Sequence, residues 1–175
     1  MLRRFLDSLA RAGRSLQSPA RKGRSAGRPS TSRPPRRAQP SAPPAGVVAR
    51  AWQGPITFAY APEADGQPDP GEVVWTWVPY EEDPSQGKDR PVVVMGTAGP
   101  GLLGVVPLSS KDHHGDGAWL SIGSGPWDPG GRPSSVRLDF VLAVPPKAVR
   151  REGSVLDRRR FDQVAAALRG RHGWS

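Results

Sequence analysis

Apolar and polar positions are most sharply organised between residues 69 and 110. Over 72–78 successive residues trade faces, with Val73, Trp75 and Trp77 on one side and Val74, Thr76 and Val78 on the other. That is the period of a β-strand. Both sides are apolar, so at least one covers a core, and the two tryptophans read as core before they read as a platform for stacked bases. Pro70 and Gly71 turn the chain into this strand, and a polar loop over 79–89 follows it. Arg90 and Pro91 open a second strand at 92–95, and a third, 102–108, ends at Ser109 and Ser110. A cation thus stands where one strand begins and a hydroxyl where the next one ends. In adjacent antiparallel strands such ends lie side by side, an arrangement that holds an anion.

The flanking segments repeat the strand pattern more briefly. Ile56, Phe58 and Tyr60 alternate with Thr57 and Ala59, and Pro55 marks an edge or a strand start. A short strand is expected at 119–122 and a longer one at 136–144, separated by a Gly/Pro-rich loop around Trp127. Residues 157–169 predict a helix, with Asp157 as its N-cap and a Leu156–Phe161 staple. Phe161, Val164, Ala165 and Leu168 form its apolar stripe, and Gly170 is the expected stop. Several short antiparallel strands followed by one helix predict a mainly β fold: a small, strongly bent barrel with a capping helix over 47–175. The strand count leaves SH3-like and OB-like barrels open.

Charge separates this region from what precedes it. Residues 1–45 hold eleven Lys and Arg against Asp7 alone, a charge of +10; the whole chain is +9, which leaves −1 for residues 46–175. The basic pI therefore belongs to the tail and says nothing about what the barrel binds. Residues 17–45 carry no large apolar side chain, so they bury too little to offset chain entropy, and 1–46 is expected to be a disordered basic tail. Within it, Leu2, Phe5, Leu6 and Leu9 fall at helical spacing, the mark of a short amphipathic helix over 2–16. Weak, salt-sensitive contact with nucleic acid or an anionic membrane surface is the property such a tail offers, beside that of a solubilising linker. No apolar run is long enough to span a bilayer, and the absence of cysteine fits a reducing cytoplasm. The adjacent His113 and His114 lie in a charged, glycine-containing loop and read as solvated; no metal site and no cofactor is expected.

Three short runs carry a resemblance. Gly-Glu-Val-Val-Trp at 71–75, Gln-Gly-Lys-Asp-Arg-Pro at 86–91 before a valine run, and Val-Val-Pro-Leu-Ser-Ser at 105–110 resemble the PemK/MazF family of bacterial toxins. The similarity extends from Asp69 to the C-terminal helix. It implies an SH3-like barrel, usually a homodimer, that cleaves single-stranded RNA without a metal. It further implies a small antitoxin partner that also binds DNA. Carried over residue by residue, Arg90 and Ser109 are the catalytic candidates, and Ser85, Gln86, Lys88 and Lys111 the RNA-binding ones. Ser109 stands where the family usually has Thr, which keeps the hydroxyl and drops a methyl. Ser85 stands where many relatives carry Glu, which puts an acid–base role at that position in doubt.

The chemistry asked of these residues is limited. In metal-independent cleavage the ribose 2′-OH attacks phosphorus, and the protein must stabilise charge on the phosphoryl oxygens and orient the hydroxyl. Arg90 offers a permanent charge on a planar fork that matches two such oxygens. Ser109 suits positioning better than proton transfer. The competing reading is a barrel that binds nucleic acid or a protein without cleaving, with Arg90 paired to the acids at 81–83 and Ser109 capping a turn. For the tail the expectation is direct: a chain beginning at Val47 should keep its melting temperature and lose nonspecific RNA binding at low salt, with little difference at high salt. Parallel thermal melts and salt titrations of the two chains check it.

Overall fold

The computed structural model describes residues 49–63 and 65–175. The expected tail at 1–46 and its amphipathic helix at 2–16 lie outside the described residues. Among the described residues the chain forms one antiparallel, barrel-like sheet and one C-terminal helix. The strands are β1 (Arg50–Ala51), β2 (Thr57–Phe58), β3 (Glu72–Pro79), β4 (Gly87–Thr97), β5 (Leu103–Ser109), β6 (Trp119–Gly123), β7 (Ser134–Arg137), β8 (Leu142–Val144) and β9 (Val149–Val155), followed by helix α1 (Arg158–His172). The sheet runs β1-β8-β5-β4-β3-β9, while β2 joins β4 and the β6–β7 pair joins the end of β5.

The centre of the sheet is apolar on both faces. Val92 and Val94 of β4 pack with Val74, Val105, Leu142 and Val144 on one side. Val93 and Met95 pack on the other with Val106, Val136 and the helix residues Phe161, Val164 and Leu168. All four β4 side chains are fully buried, which explains why this strand reads as a continuous apolar run rather than an alternating one. Gly96 follows the run at φ 152°, and a Cβ there would lie 2.0 Å from the Thr57 carbonyl oxygen, so only glycine lets β2 pair so closely with β4.

The helix begins as expected. Asp157 accepts a hydrogen bond from the Arg160 amide at 3.0 Å, and Leu156 and Phe161 are both buried. Its end lies later than expected: Gly170 is helical, and the left-handed cap is Gly173 at φ 67°. The reason is beyond the apolar stripe. Trp174 stacks on His172 at 4.4 Å and meets Phe58 of β2, and His172 Nε2 donates to the Leu138 carbonyl at 2.7 Å. These contacts hold the last turn on the sheet.

Two further differences concern the C-terminal strands. The expected strand at 136–144 is two strands, because 138–141 leave the ladder between pairing with the end of β5 (Leu108↔Val136) and with its start (Leu103↔Val144). Strand β9 has no period-2 apolar pattern, being Val-Arg-Arg-Glu-Gly-Ser-Val, and no strand was expected there. It pairs with β3, and Arg151 on it forms a bidentate ion pair with the buried Glu72, Nε to Oε2 at 2.9 Å.

Phe161 carries the helix–sheet contact. Its ring is buried and meets Tyr60 edge-on at 5.1 Å, while the Tyr60 hydroxyl donates to the Leu156 carbonyl at 3.0 Å. Phe161→Ala should destabilise the fold by about 3–5 kcal/mol, the usual range for emptying a buried phenylalanine site. Urea unfolding of the variant checks it; a loss below about 1 kcal/mol, outside that range, would show that the helix is peripheral.

Candidate functional site

Strands β4 and β5 run as neighbours from Thr97↔Leu103 to Val92↔Pro107, and there their ladder ends. Pro91 and Pro107 flank the end, and neither has an N–H with which to extend it. Beyond this point β4 continues against β3, with Arg90 opposite Thr76. Strand β5 turns instead to β7, with Ser109 opposite Ser135. The two strands part like a fork. Arg90 therefore lies within the body of β4 rather than at its start, because 87–89 belong to the strand and the loop shortens to 80–86.

Arg90, Ser109 and Lys111 line the two cavities at this fork, each of about 310 Å³. One also takes in Lys88, Trp75 and Trp127; the other takes in His113, Trp119 and Arg137. Lys111, His113 and Trp119 continue into a third cavity of about 610 Å³ under the β5–β6 loop. Together these form a trough along one edge of the barrel.

The trough keeps its positive charge because Glu81, Asp83, Asp89 and Asp128 beside it are engaged elsewhere. Glu81 pairs with Arg137, which Asp139 also holds at 2.8 Å. Asp89 pairs with Arg150 at 2.9 Å, and Asp128 with Arg132 at 2.9 Å. Asp83 takes hydrogen bonds from the Ser85 and Gln86 side chains at 2.6 and 2.7 Å, and these hold its carboxyl below the usual carboxylate range. Among the described residues no ion pair engages Lys88, Arg90 or Lys111. The three cations feel one another: Arg90, then burial, then Lys111 push the Lys88 ammonium below the ordinary lysine range. Arg90 Nε is buried and has no hydrogen-bond partner among the described residues. Buried donors of that kind are rare.

The structure thus brings Arg90, Ser109, Lys88 and Lys111 to one place. It does not bring Ser85 and Gln86 there: both are exposed on the 80–86 loop with their side chains turned to Asp83. Trp75 and Trp77 are half-buried rather than core, since the buried side of β3 beside them is Val74, Thr76 and Val78. Trp75 faces the trough under the Arg150 guanidinium, 5.7 Å from its ring centre.

Ser109 has a partner the sequence reading did not assign. Its Oγ accepts from the Lys111 amide at 3.2 Å and lies 2.9 Å from His113 Nε2. The His113 ring is half-buried and stacks on Trp119, centroids 3.6 Å apart and planes 9° from parallel. His114, its neighbour, is exposed as expected. The signal in the sequence is faint: a histidine four residues after the hydroxyl, across a turn in which Asp112 and Asp116 cap backbone amides at 2.9 Å.

The family described as the PemK-like, MazF-like toxin of type II toxin-antitoxin system matches residues 69–170. Among curated proteins none matches the chain. Two crystal structures of MazE-MazF from Deinococcus radiodurans are similar in part. Form-III has 20% identity and a TM-score of 0.46 over 62% of this chain and 98% of that one. Form-II has 21% identity and a TM-score of 0.47 over 63% and 100%.

The mutual repulsion of the cations has a measurable sign. Lys88 has a folded pKa below its unfolded one, so the unfolded chain binds that proton more firmly and folding stability rises as pH climbs through the folded value. Lys88→Gln should therefore raise the melting temperature at neutral pH, and its advantage should shrink as pH rises into the alkaline range, because the native ammonium loses its proton before the unfolded one does. Melts of both proteins across that range check it; a variant that melts lower at neutral pH contradicts it.

Proposed function

The chain belongs to the PemK-like, MazF-like toxins of type II toxin-antitoxin systems, and from that premise we propose that it is an endoribonuclease acting on single-stranded RNA in the cytoplasm. The observation that carries the reading is the fork between β4 and β5, where Lys88, Arg90 and Lys111 face one trough with no carboxylate paired to any of them among the described residues. A phosphodiester supplies the missing negative charge. The half-buried Trp75 beside the cations offers a flat face to a neighbouring base.

The reaction is attack of the ribose 2′-OH on the adjacent phosphorus, leaving a 2′,3′-cyclic phosphate and a 5′-hydroxyl. Arg90 makes paired hydrogen bonds to the phosphoryl oxygens and stabilises the charge that grows on them. Its role is charge stabilisation rather than proton transfer, since a guanidinium stays charged in proteins. Lys88 and Lys111 hold the flanking phosphates. Ser109 orients the reacting hydroxyl or a phosphoryl oxygen. Because the nucleophile is carried by the RNA, the mechanism needs no metal. A cognate antitoxin, DNA bound together with it, and a second copy of this chain are the proposed partners. The basic tail adds loose contact with nucleic acid or an anionic membrane surface.

Purified protein should cut single-stranded RNA in EDTA, give the cyclic phosphate and 5′-hydroxyl ends, and spare RNA that is 2′-O-methylated at the cut. Arg90→Ala should slow cleavage about a hundredfold or more, as loss of an oxyanion donor does. Arg90→Lys should recover little, since a point charge lacks the fork. Ser109→Ala should cost less than Arg90→Ala, and Ser109→Thr should remain active. Protein that binds a mixed RNA pool in an Arg90-dependent manner and leaves it intact is a binding module, and the nuclease reading then fails.

A further inference from the structure

The proposed reaction lacks a base. Of the groups that line the cavity on the Trp119 side, Arg90, Lys111 and Arg137 are cations, Glu81 is paired with Arg137, and neither Glu82 nor Tyr80 is hydrogen-bonded to Ser109. Ser109 is too weak a base to act alone. His113 is the exception: it lines that cavity, its Nε2 lies 2.9 Å from Ser109 Oγ, and stacking on Trp119 fixes its plane.

We infer that Ser109 and His113 work as a proton relay, with His113 as the general base of RNA cleavage; this rests on the endoribonuclease reading above. The Lys111 amide donates to Ser109 Oγ, which leaves the serine O–H to point at Nε2. That requires the imidazole tautomer with its proton on Nδ1. In the chemical step the 2′-oxygen bonds to phosphorus and gives its proton to Ser109 Oγ, while the serine proton passes to His113 Nε2. The P–O5′ bond breaks and the 5′-oxygen takes a proton from water. The imidazolium then returns its proton to solvent.

The groups around the ring set the test. Arg90 reaches this cavity from β4, Lys111 from the end of β5, and Arg137 from β7, with its guanidinium 5.9 Å from the Trp119 ring centre. Glu81 and Glu82 reach it from the β3–β4 loop. On the ring's own loop, Asp112 and Asp116 are engaged in capping, and His114 is exposed. Glu82 is the rival base in the same cavity, and it makes no hydrogen bond to Ser109, whose Oγ meets His113 and the Lys111 amide.

The decisive measurement is the pH profile of kcat/KM for wild type, His113→Gln, Glu82→Gln and Ser109→Ala, alongside the affinity for uncleavable 2′-O-methyl RNA. Wild type should show an acid limb, because a reaction that needs an unprotonated base slows as that base takes up a proton. His113→Gln should lose that limb, fall about a hundredfold at neutral pH, and bind the uncleavable RNA as before. Glu82→Gln should keep the limb. The His113→Gln/Ser109→Ala double variant should be no slower than the slower single one, because parts of one relay do not add. A separate check needs no turnover: the imidazole ¹⁵N spectrum of the free protein should show the Nδ1–H tautomer at His113, and Ser109→Ala should disturb it. If wild type cleaves and His113→Gln keeps its acid limb, or if Glu82→Gln removes it, the relay is wrong and the nuclease reading survives. If wild type does not cleave at all, both fall.

Discussion

The site depends on where a hydrogen-bonded ladder stops. Strands β4 and β5 are held together through a fully buried run of valines, and their pairing ends at Val92↔Pro107. Proline cannot donate to a ladder, and Pro91 and Pro107 stand on both sides of this point. The strands diverge, one to β3 and the other to β7, and the backbone opens a trough without any loop having to be long. The core beneath keeps the two arms rigid, so Arg90 and Ser109 are held by strands rather than by flexible chain. A catalytic or binding site placed on such elements is positioned more tightly than one on loops.

Charge around the fork is sorted by ion pairing. Acids close to the trough in sequence are held by arginines from other strands or by hydroxyl and amide donors: Asp89 by Arg150 of β9, Glu81 by Arg137 of β7, Asp83 by Ser85 and Gln86. What remains in the trough is a cluster of like charges that depresses the Lys88 ammonium, and among the described residues Arg90 Nε is buried without a partner. Such clusters work against folding and favour an anionic ligand, the trade commonly found where binding or catalysis is concentrated.

The same sorting explains the parts of the site that were hidden. Ser85 and Gln86 are RNA-binding candidates by resemblance alone, and their side chains are bound to an acid two or three residues away. His113 stands in a loop whose composition reads as solvent-exposed, and it is drawn under by a tryptophan six residues further on. Neither outcome follows from residue type. Each is decided by which partner is nearest once the β5–β6 and β3–β4 loops have been placed side by side.

The sequence alone determined the strands, read at 72–78 and 102–108 and observed at 72–79 and 103–109, and the start of the helix at Asp157. These follow from local physics: period-2 alternation, an N-cap, and proline and glycine at the breaks. Tertiary structure decided the rest. Strand β9 exists because β3 has a free edge and Glu72 needs Arg151, not because its own seven residues alternate. The segment 134–144 is broken because one strand must serve both ends of β5. The helix passes Gly170 because Trp174 finds Phe58 and His172 finds the Leu138 carbonyl. Arg90 has no paired acid among the described residues because Arg137 and Arg150, distant in sequence, take Glu81 and Asp89, while Ser109 meets His113 across a local turn that residue type alone does not reveal.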